Sequence, residues 1–384
     1  MKCVLNLILL SLIHATTTIN NTYTSDIAVP YYYSSSQFQV YFSFGNPPQQ
    51  IYLHVDLSTK SSWLHSSQFN ASLSHSQQSL SSSVVKIGYV QYTMLIIADS
   101  LAHTNEQLLS NFYISYLDSS EAPEGASPAL SLSRSYDNPL LSITEQLYRE
   151  HKVTSKQFSF ANVNNTHGYI LFGSIRIKPT FYIYKATSPL ISQDTTWSIS
   201  AASIHINGHT YIHPPTNQTA FTITFSSYDS DMQVPYDFLP FFKQHFLDSL
   251  ISQHICTSNF PFICTTALLP RELPPMYISL PLSHPNRIYL TKQALFSTSA
   301  PRCSLRMRST SRSSTWTLGT SFLHSVPTVF DYSAQTITLF QSAKYAYAYF
   351  AQYCLMMATS AILCCISLYL TYMLYFKLKN IHLT

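Results

Sequence analysis

The sequence predicts an all-β protein whose body uses one architecture twice. Four observations carry this. Aromatic residues make up 14% of the chain and charged residues only 10%. Val/Ile/Thr/Tyr/Phe runs bounded by Pro, Asn and Ser recur along it, as half-buried strands and their turns require. Its 384 residues suffice for two lobes with cores of their own. Finally, Ile51-Tyr-Leu-His-Val55 and Phe221-Thr-Ile-Thr-Phe225 are both apolar at their first, third and fifth positions, and each is followed by a polar, Ser-rich turn.

At the N-terminus, Lys2, an apolar run from Val4 to Ile13 and Ala15 form the pattern of a secretory signal, assigned to residues 1–17. Phe38-Gln-Val-Tyr-Phe-Ser-Phe44 alternates as a strand, and Gly45-Asn-Pro-Pro48 marks a turn into the next strand. That strand buries Ile51, Leu53 and Val55, so Asp56 falls on the opposite face, at the strand's exit. A carboxylate there sits on a rigid scaffold and is a natural candidate for chemistry. Residues 65–83, rich in Ser and Gln, read as a surface loop, and 84–97 as a hairpin. Residues 138–151 are the clearest helix, with Leu140, Leu141, Ile143 and Leu147 near helical spacing and Pro139 near the start.

Strands resume at Phe158-Ser-Phe160 and Gly168-Tyr-Ile-Leu-Phe-Gly173. A linker at 187–196 divides an N-terminal lobe, 30–186, from a C-terminal lobe, 197–342. The latter begins with Trp197-Ser-Ile-Ser and Ile204-His-Ile-Asn-Gly208 and closes between Trp316 and Phe340.

No charged residue lies between Lys344 and Lys377, a stretch longer than the ~20 residues a spanning helix needs. Tyr345, Tyr347, Tyr349, Tyr372 and Tyr375 suit the two interfaces, and Lys377 and Lys379 the cytoplasmic flank. The expectation is a transmembrane helix over 347–376 with a cytoplasmic tail over 377–384. A lipid-anchor signal fits less well, because it would end in its apolar segment. The chain then reads as a single-pass type I protein of the secretory pathway or cell surface, with a monomeric, lumenal or extracellular body.

Of the seven cysteines, Cys3 leaves with the signal and Cys354, Cys364 and Cys365 fall in the span, where packing or acylation is open to Cys364 and Cys365. Cys256, Cys264 and Cys303 remain in the oxidising compartment and allow one disulfide and one thiol. Sequons at Asn20, Asn70, Asn164 and Asn217 agree with that topology. A net charge of +4 with so few charged residues offers no nucleic-acid footprint. The histidines show no ligand spacing, so neither metal nor other cofactor is expected. Arg302, Arg306, Arg308 and Arg312 read as a solvated hairpin loop, or alternatively as a patch for an acidic partner.

Several motifs fall in one order. Gly45-Asn-Pro-Pro-Gln49 precedes the Asp56 strand, and Trp63 lies seven residues after Asp56. Glu124-Gly125, Phe158-Ser-Phe160 and Gly168-Tyr-Ile-Leu-Phe-Gly173 follow. Trp316-Thr-Leu-Gly319, Phe322-Leu323 and Val329-Phe-Asp-Tyr332 close the series. Over residues 38–340 this resembles the pepsin family of aspartic peptidases. The resemblance implies a bilobal β fold around a long cleft, each lobe supplying one aspartate. Two carboxylates about 3 Å apart share one proton because both cannot ionise together. One then acts as base on a water while the other polarises the scissile carbonyl.

The resemblance fails where that chemistry resides. Leu57 and Ser58 follow Asp56 where the family has Thr and Gly, so a hydroxyl that ties the two loops is lost, and with it a glycine that permits close approach. Pro235 sets the register of the second motif, and nine residues before it stands Ser226, giving Ser226-Ser-Tyr-Asp-Ser230. Asp229 takes the position of the motif's Thr; its use as a displaced partner is the alternative. Ile87-Gly-Tyr89 resembles the start of the family's flap, with Tyr89 leaning toward Trp63 over substrate; an ordinary strand tyrosine is the alternative. Cys264 and Cys303 match the family's C-terminal-lobe disulfide, with Cys256 as the other possible partner.

The expected function is that of a membrane-anchored, aspartic-peptidase-like protein, catalytically inactive because Ser226 replaces the second aspartate, whose cleft binds a peptide or partner protein. An active endopeptidase with an unconventional dyad, and a surface glycoprotein using the fold only as structure, are the alternatives.

Overall fold

The computed structural model describes residues 23–34, 37–87, 90–103, 106–118, 127–134, 142–177, 184–191, 196–212, 220–270, 273–281, 287–297, 301–310 and 315–341, with a few helical positions between 358 and 371. Strands dominate. The largest sheet has 13 strands. It runs from the strand ending at Pro189, through that beginning at Thr336, to Thr328–Asp331, Gln157–Asn162, His167–Phe172, Ile27–Ser34, Gln37–Phe44 and Gln49–Asp56. It continues through Ala129–Ser131, Trp63–His65, Glu106–Leu117, Val90–His103 and Gln78–Ile87. Gln37–Phe44 also pairs with Val90–His103, through Ser43 opposite Ala102, so the sheet folds back on itself. A five-stranded sheet orders Ser198–Ala201, Phe221–Phe225, Thr315–Leu318, Met232–Pro235 and Met307–Thr310.

The repeat seen in the sequence is a repeat of topology. Gln49–Asp56 pairs in parallel with Ala129–Ser131, Asp56 opposite Ser131. Phe221–Phe225 pairs in parallel with Thr315–Leu318, Phe225 opposite Leu318. In the first strand Ile51, Leu53 and Val55 are buried; in the second Phe221, Ile223 and Phe225 are. Period-2 burial of this kind fixes register, since a one-residue slip would turn every apolar side chain to water.

Aromatic packing joins the two halves. Phe158 stacks on Phe330 at 4.7 Å, and Trp197 meets Phe330 and Tyr332 edge-on at 5.0 and 4.9 Å. Polar tips then reach across: Trp197 Nε1 donates to Leu132 O at 2.9 Å and the Tyr332 hydroxyl donates to Ser133 O at 2.5 Å. Residues that immediately follow Ala129–Ser131 are thereby pinned by the later half of the chain.

Several expectations change. The Ser-rich 65–83 stretch is not one loop: it holds the short 3₁₀ helix Ala71–Leu73, and strand Gln78–Ile87 begins well inside it. A ladder is made by the main chain, so serines serve in it while their side chains face water. The helix is Ile143–Arg149, and Leu140, Leu141 and Pro139 lie outside the described residues. The expected 187–196 linker still belongs to a strand at Thr187, Ser188 and Pro189.

The disulfide joins Cys256 to Cys264, and Cys303 is a free, buried thiol, in place of the expected Cys264–Cys303 bond. Cys264 faces Cys303 across one antiparallel pair and Cys256 across an isolated bridge; spacing in sequence does not choose between two such neighbours.

By their contacts Met1–Lys178 with Lys185–Phe340 make one compact unit, holding parts of both expected lobes, and Pro179–Tyr184 with Gln341–Thr384 make another. Most of the 347–376 span lies outside the described residues, and among the described ones no helix is long and apolar enough to cross a membrane.

Candidate functional site

The repeated strands deliver two turns, 56–60 and 226–231. Asp56 is half-buried at its strand's end. Its Oδ1 accepts from Ser58 N at 2.7 Å, Ser58 Oγ at 2.7 Å and Thr59 N at 3.1 Å, and its Oδ2 accepts from Thr59 Oγ1. Four donors from its own turn occupy the carboxylate. This is a side chain closing the backbone turn two and three residues on, a common role for Asp.

Ser226 does the same in the second turn with one oxygen: its Oγ accepts from Tyr228 N at 3.2 Å and Asp229 N at 3.1 Å. The two residues occupy equivalent places and perform equivalent local work. They differ in what is left over. A hydroxyl has no accessible ionised form at neutral pH, so it contributes no second carboxylate.

The other acids of this turn have partners of their own. Asp229 Oδ1 accepts from Gln233 Nε2 at 2.7 Å, and Asp231 Oδ2 accepts from Arg308 Nε at 2.7 Å. Among the described residues no hydrogen bond links either carboxylate to Asp56. General acid–base chemistry on a peptide needs a base and an acid within reach of one water and one carbonyl; the described contacts pair Asp229 with Gln233 and Asp231 with Arg308.

Below the turns the fold is tightly built. Leu132 N donates to Asp56 O at 2.8 Å, and Ser226 N donates to Leu318 O at 3.0 Å. Ser131 Oγ donates to Thr59 O at 2.5 Å. Under the second turn, a Cβ added to Gly319 would lie 2.4 Å from Asp229 O and 2.6 Å from Asp231 O. The backbone approaches so closely that Thr320 N donates to Asp229 O at 2.8 Å, which is why glycine is required there.

Leu57 and Ser227 connect the two turns. Both are buried, and Leu57 N donates to Ser227 Oγ at 2.9 Å across 170 positions of sequence. The tie expected to be lost with the hydroxyl at position 57 survives in one direction, because its acceptor is on the other turn. Sequence reasoning missed Ser227. The available signal was a hydroxyl residue directly after Ser226, where the first turn has an apolar one.

Trp63 is buried with Met94, Leu117 and Ala129, and Tyr92 packs against that cluster. Tyr89 and Gly88 lie outside the described residues, so the aromatic that meets Trp63's surroundings in the described hairpin is Tyr92. Of the sequons, Asn20 and Asn217 also lie outside. Asn70 and Asn164 are exposed. Asn70 Oδ1 accepts from Ser72 N and Ser72 Oγ at 3.1 and 2.7 Å; Asn164 Oδ1 accepts from Thr166 N and Thr166 Oγ1 at 2.8 and 3.0 Å.

Behind the second turn, Arg306 Nη1 donates to the Tyr33 hydroxyl at 3.3 Å, and Tyr33 stacks on His324 at 4.4 Å. Burial, and secondarily the Arg306 charge, hold the His324 imidazole down to about 4. The arginine stretch is therefore not all solvated loop: Arg306 packs inward and Arg308 is paired, while Arg302 is exposed.

The sequence matches no family model and no curated protein. Solved structures do match. Basic 7S globulin from soybean aligns with a TM-score of 0.65 at 16% identity, over 82% of this chain and 95% of that one. An aspartic proteinase from Irpex lacteus aligns with a TM-score of 0.63 at 14% identity, over 83% of this chain and 97% of that one. The chain therefore has the fold of the pepsin-like aspartic proteinases.

Proposed function

We propose that this chain is a membrane-anchored protein of the aspartic-proteinase fold that no longer cleaves peptides and uses its cleft to hold an extended peptide or a segment of a partner protein. One observation carries the reading: Asp56 and Ser226 occupy matching turns, and each side chain's oxygen atoms close its own turn. The reaction of this fold needs two carboxylates sharing a proton, and loss of one member of such a unit removes nearly all of its rate enhancement. The tie between the turns and the close approach at Gly319 persist, so the two strand ends remain positioned as a rigid platform. Asp229 engaged by Gln233 weighs against a displaced dyad.

The anchor rests on the uncharged 345–376 stretch and the lumenal body on the sequons. Peptide capture tests the cleft reading. The full chain in detergent is incubated with a random peptide library, and bound peptides are recovered and sequenced. Recovery of uncut peptides that is lost in Ser58→Trp, which fills the mouth of the first turn from an exposed position, supports it. Equal recovery from both proteins, or none from either, rejects cleft binding and favours a structural glycoprotein.

A further inference from the structure

Three cysteines meet at one place in the fold. Cys264 lies in the strand Ile263–Thr265, directly opposite Cys303 in the antiparallel pair with Arg302–Ser304. It also faces Cys256 across an isolated antiparallel bridge. One residue thus has a cysteine on either side. The disulfide joins Cys256 to Cys264, and Cys303 is the free thiol, its Sγ 3.4 Å from Cys264 O. Cys256, Cys264 and Cys303 are 7%, 1% and 2% exposed. Directly opposed residues of an antiparallel pair have Cα atoms about 4.5–5.5 Å apart, within the ~4.4–6.8 Å range of disulfides. Cys264 therefore has two partners within bonding range and one bond to give.

We propose that these residues form a disulfide relay, in which the bond passes between Cys256–Cys264 and Cys264–Cys303. In the forward step the Cys303 thiolate attacks Cys264 Sγ. The Cys264–Cys303 bond forms as the Cys256–Cys264 bond breaks, and Cys256 leaves as a thiolate that takes up the proton Cys303 gave. One disulfide and one thiol stand on each side, so no outside oxidant or reductant is consumed.

The two isomers constrain different parts of the chain. The Cys256–Cys264 bond closes a short loop, eight positions in sequence, around residues 257–263. The Cys264–Cys303 bond opens that loop and links strands 39 positions apart. It also fixes the segment that runs on to the second turn. Met232 N donates to Arg306 O at 3.0 Å, and Met307–Thr310 pairs in parallel with Met232–Pro235, which follows directly after that turn. The relay thus sets how firmly the strand behind Ser226–Asp231 is held from below.

Disulfide mapping of the full chain tests this. Protein is held at pH 8 with a small reduced thiol, quenched in acid, unfolded in urea at pH 5 with N-ethylmaleimide, and digested. Both linked peptides, Cys256–Cys264 and Cys264–Cys303, should appear, each above roughly a tenth of the total, with Cys256 and Cys303 alkylated in reciprocal amounts. Cys256→Ser should carry the Cys264–Cys303 bond, and Cys303→Ser only Cys256–Cys264. The proposal is overturned if, of Cys256, Cys264 and Cys303, only Cys303 is alkylated in the wild type under exchange, or if Cys256→Ser folds with Cys264 and Cys303 both reduced.

Discussion

The contact between Leu57 and Ser227 offers the sharpest stability prediction. Ser227→Ala removes the acceptor of a 2.9 Å bond and leaves the Leu57 N–H in a buried place, because both residues are 3% exposed or less. Water cannot replace the lost partner. An orphaned buried donor costs about 1–3 kcal/mol, whereas an ordinary exposed hydrogen bond nets about 0.5–1.5. Ser226→Ala gives the comparison: its oxygen serves two local N–H groups in a half-exposed turn, where water can substitute. Ser227→Ala should therefore be the costlier change, and Ser227→Thr, which keeps the hydroxyl, should recover most of the loss. Urea unfolding of the three variants reads this as shifts in midpoint at constant slope. A loss below about 0.5 kcal/mol in Ser227→Ala, or no recovery with Thr, would refute the claim that this bond ties the turns together.

Gly319→Ala should destabilise by about 1–3 kcal/mol, the usual cost of forcing a methyl into a packed site, since the new Cβ meets carbonyl oxygens of the second turn; thermal unfolding checks it, and an unchanged midpoint contradicts it. His324 should make the protein acid-sensitive. With its folded value held at about 4 against the ordinary 6.5, the unfolded chain binds the proton first, so its contribution is full above pH 6.5 and is lost as pH falls toward 4. At ~1.4 kcal/mol per pH unit, reduced for its partly open flank, that loss is about 2–3 kcal/mol, and His324→Gln should flatten the difference between urea midpoints at pH 7 and 4.5. Asn70 and Asn164 should both carry glycans when the chain is made in a secretory host, seen as mass lost on deglycosylation and absent from Asn70→Gln and Asn164→Gln; unmodified asparagines at both would contradict this prediction.

Much of the fold was legible because burial has a period. Ile51, Leu53 and Val55, and likewise Phe221, Ile223 and Phe225, announce two equivalent strands, and counting back from Pro235 places Ser226 opposite Asp56 in the pattern. What the pattern could not show is what depends on contacts distant in sequence. Ser227 acts through a residue 170 positions away. The choice between Cys256 and Cys303 as partner of Cys264 depends on which of two flanking segments presents its sulfur. The strand starting at Gln78 was hidden because its serines carry no apolar alternation, while its main chain pairs as any other would. For Asp56 the sequence marks a carboxylate at a strand exit, and only the turn geometry shows four donors already on it.

The proposed loss of hydrolysis requires that Asp56 has no carboxylate partner. The direct measurement is peptide cleavage by the purified full chain from pH 3 to 7, beside Asp56→Ala and with and without pepstatin. Wild type and Asp56→Ala should give the same background, and pepstatin should change neither. Pepstatin-sensitive cleavage that disappears in Asp56→Ala would contradict it, and would mean that a second acid reaches Asp56.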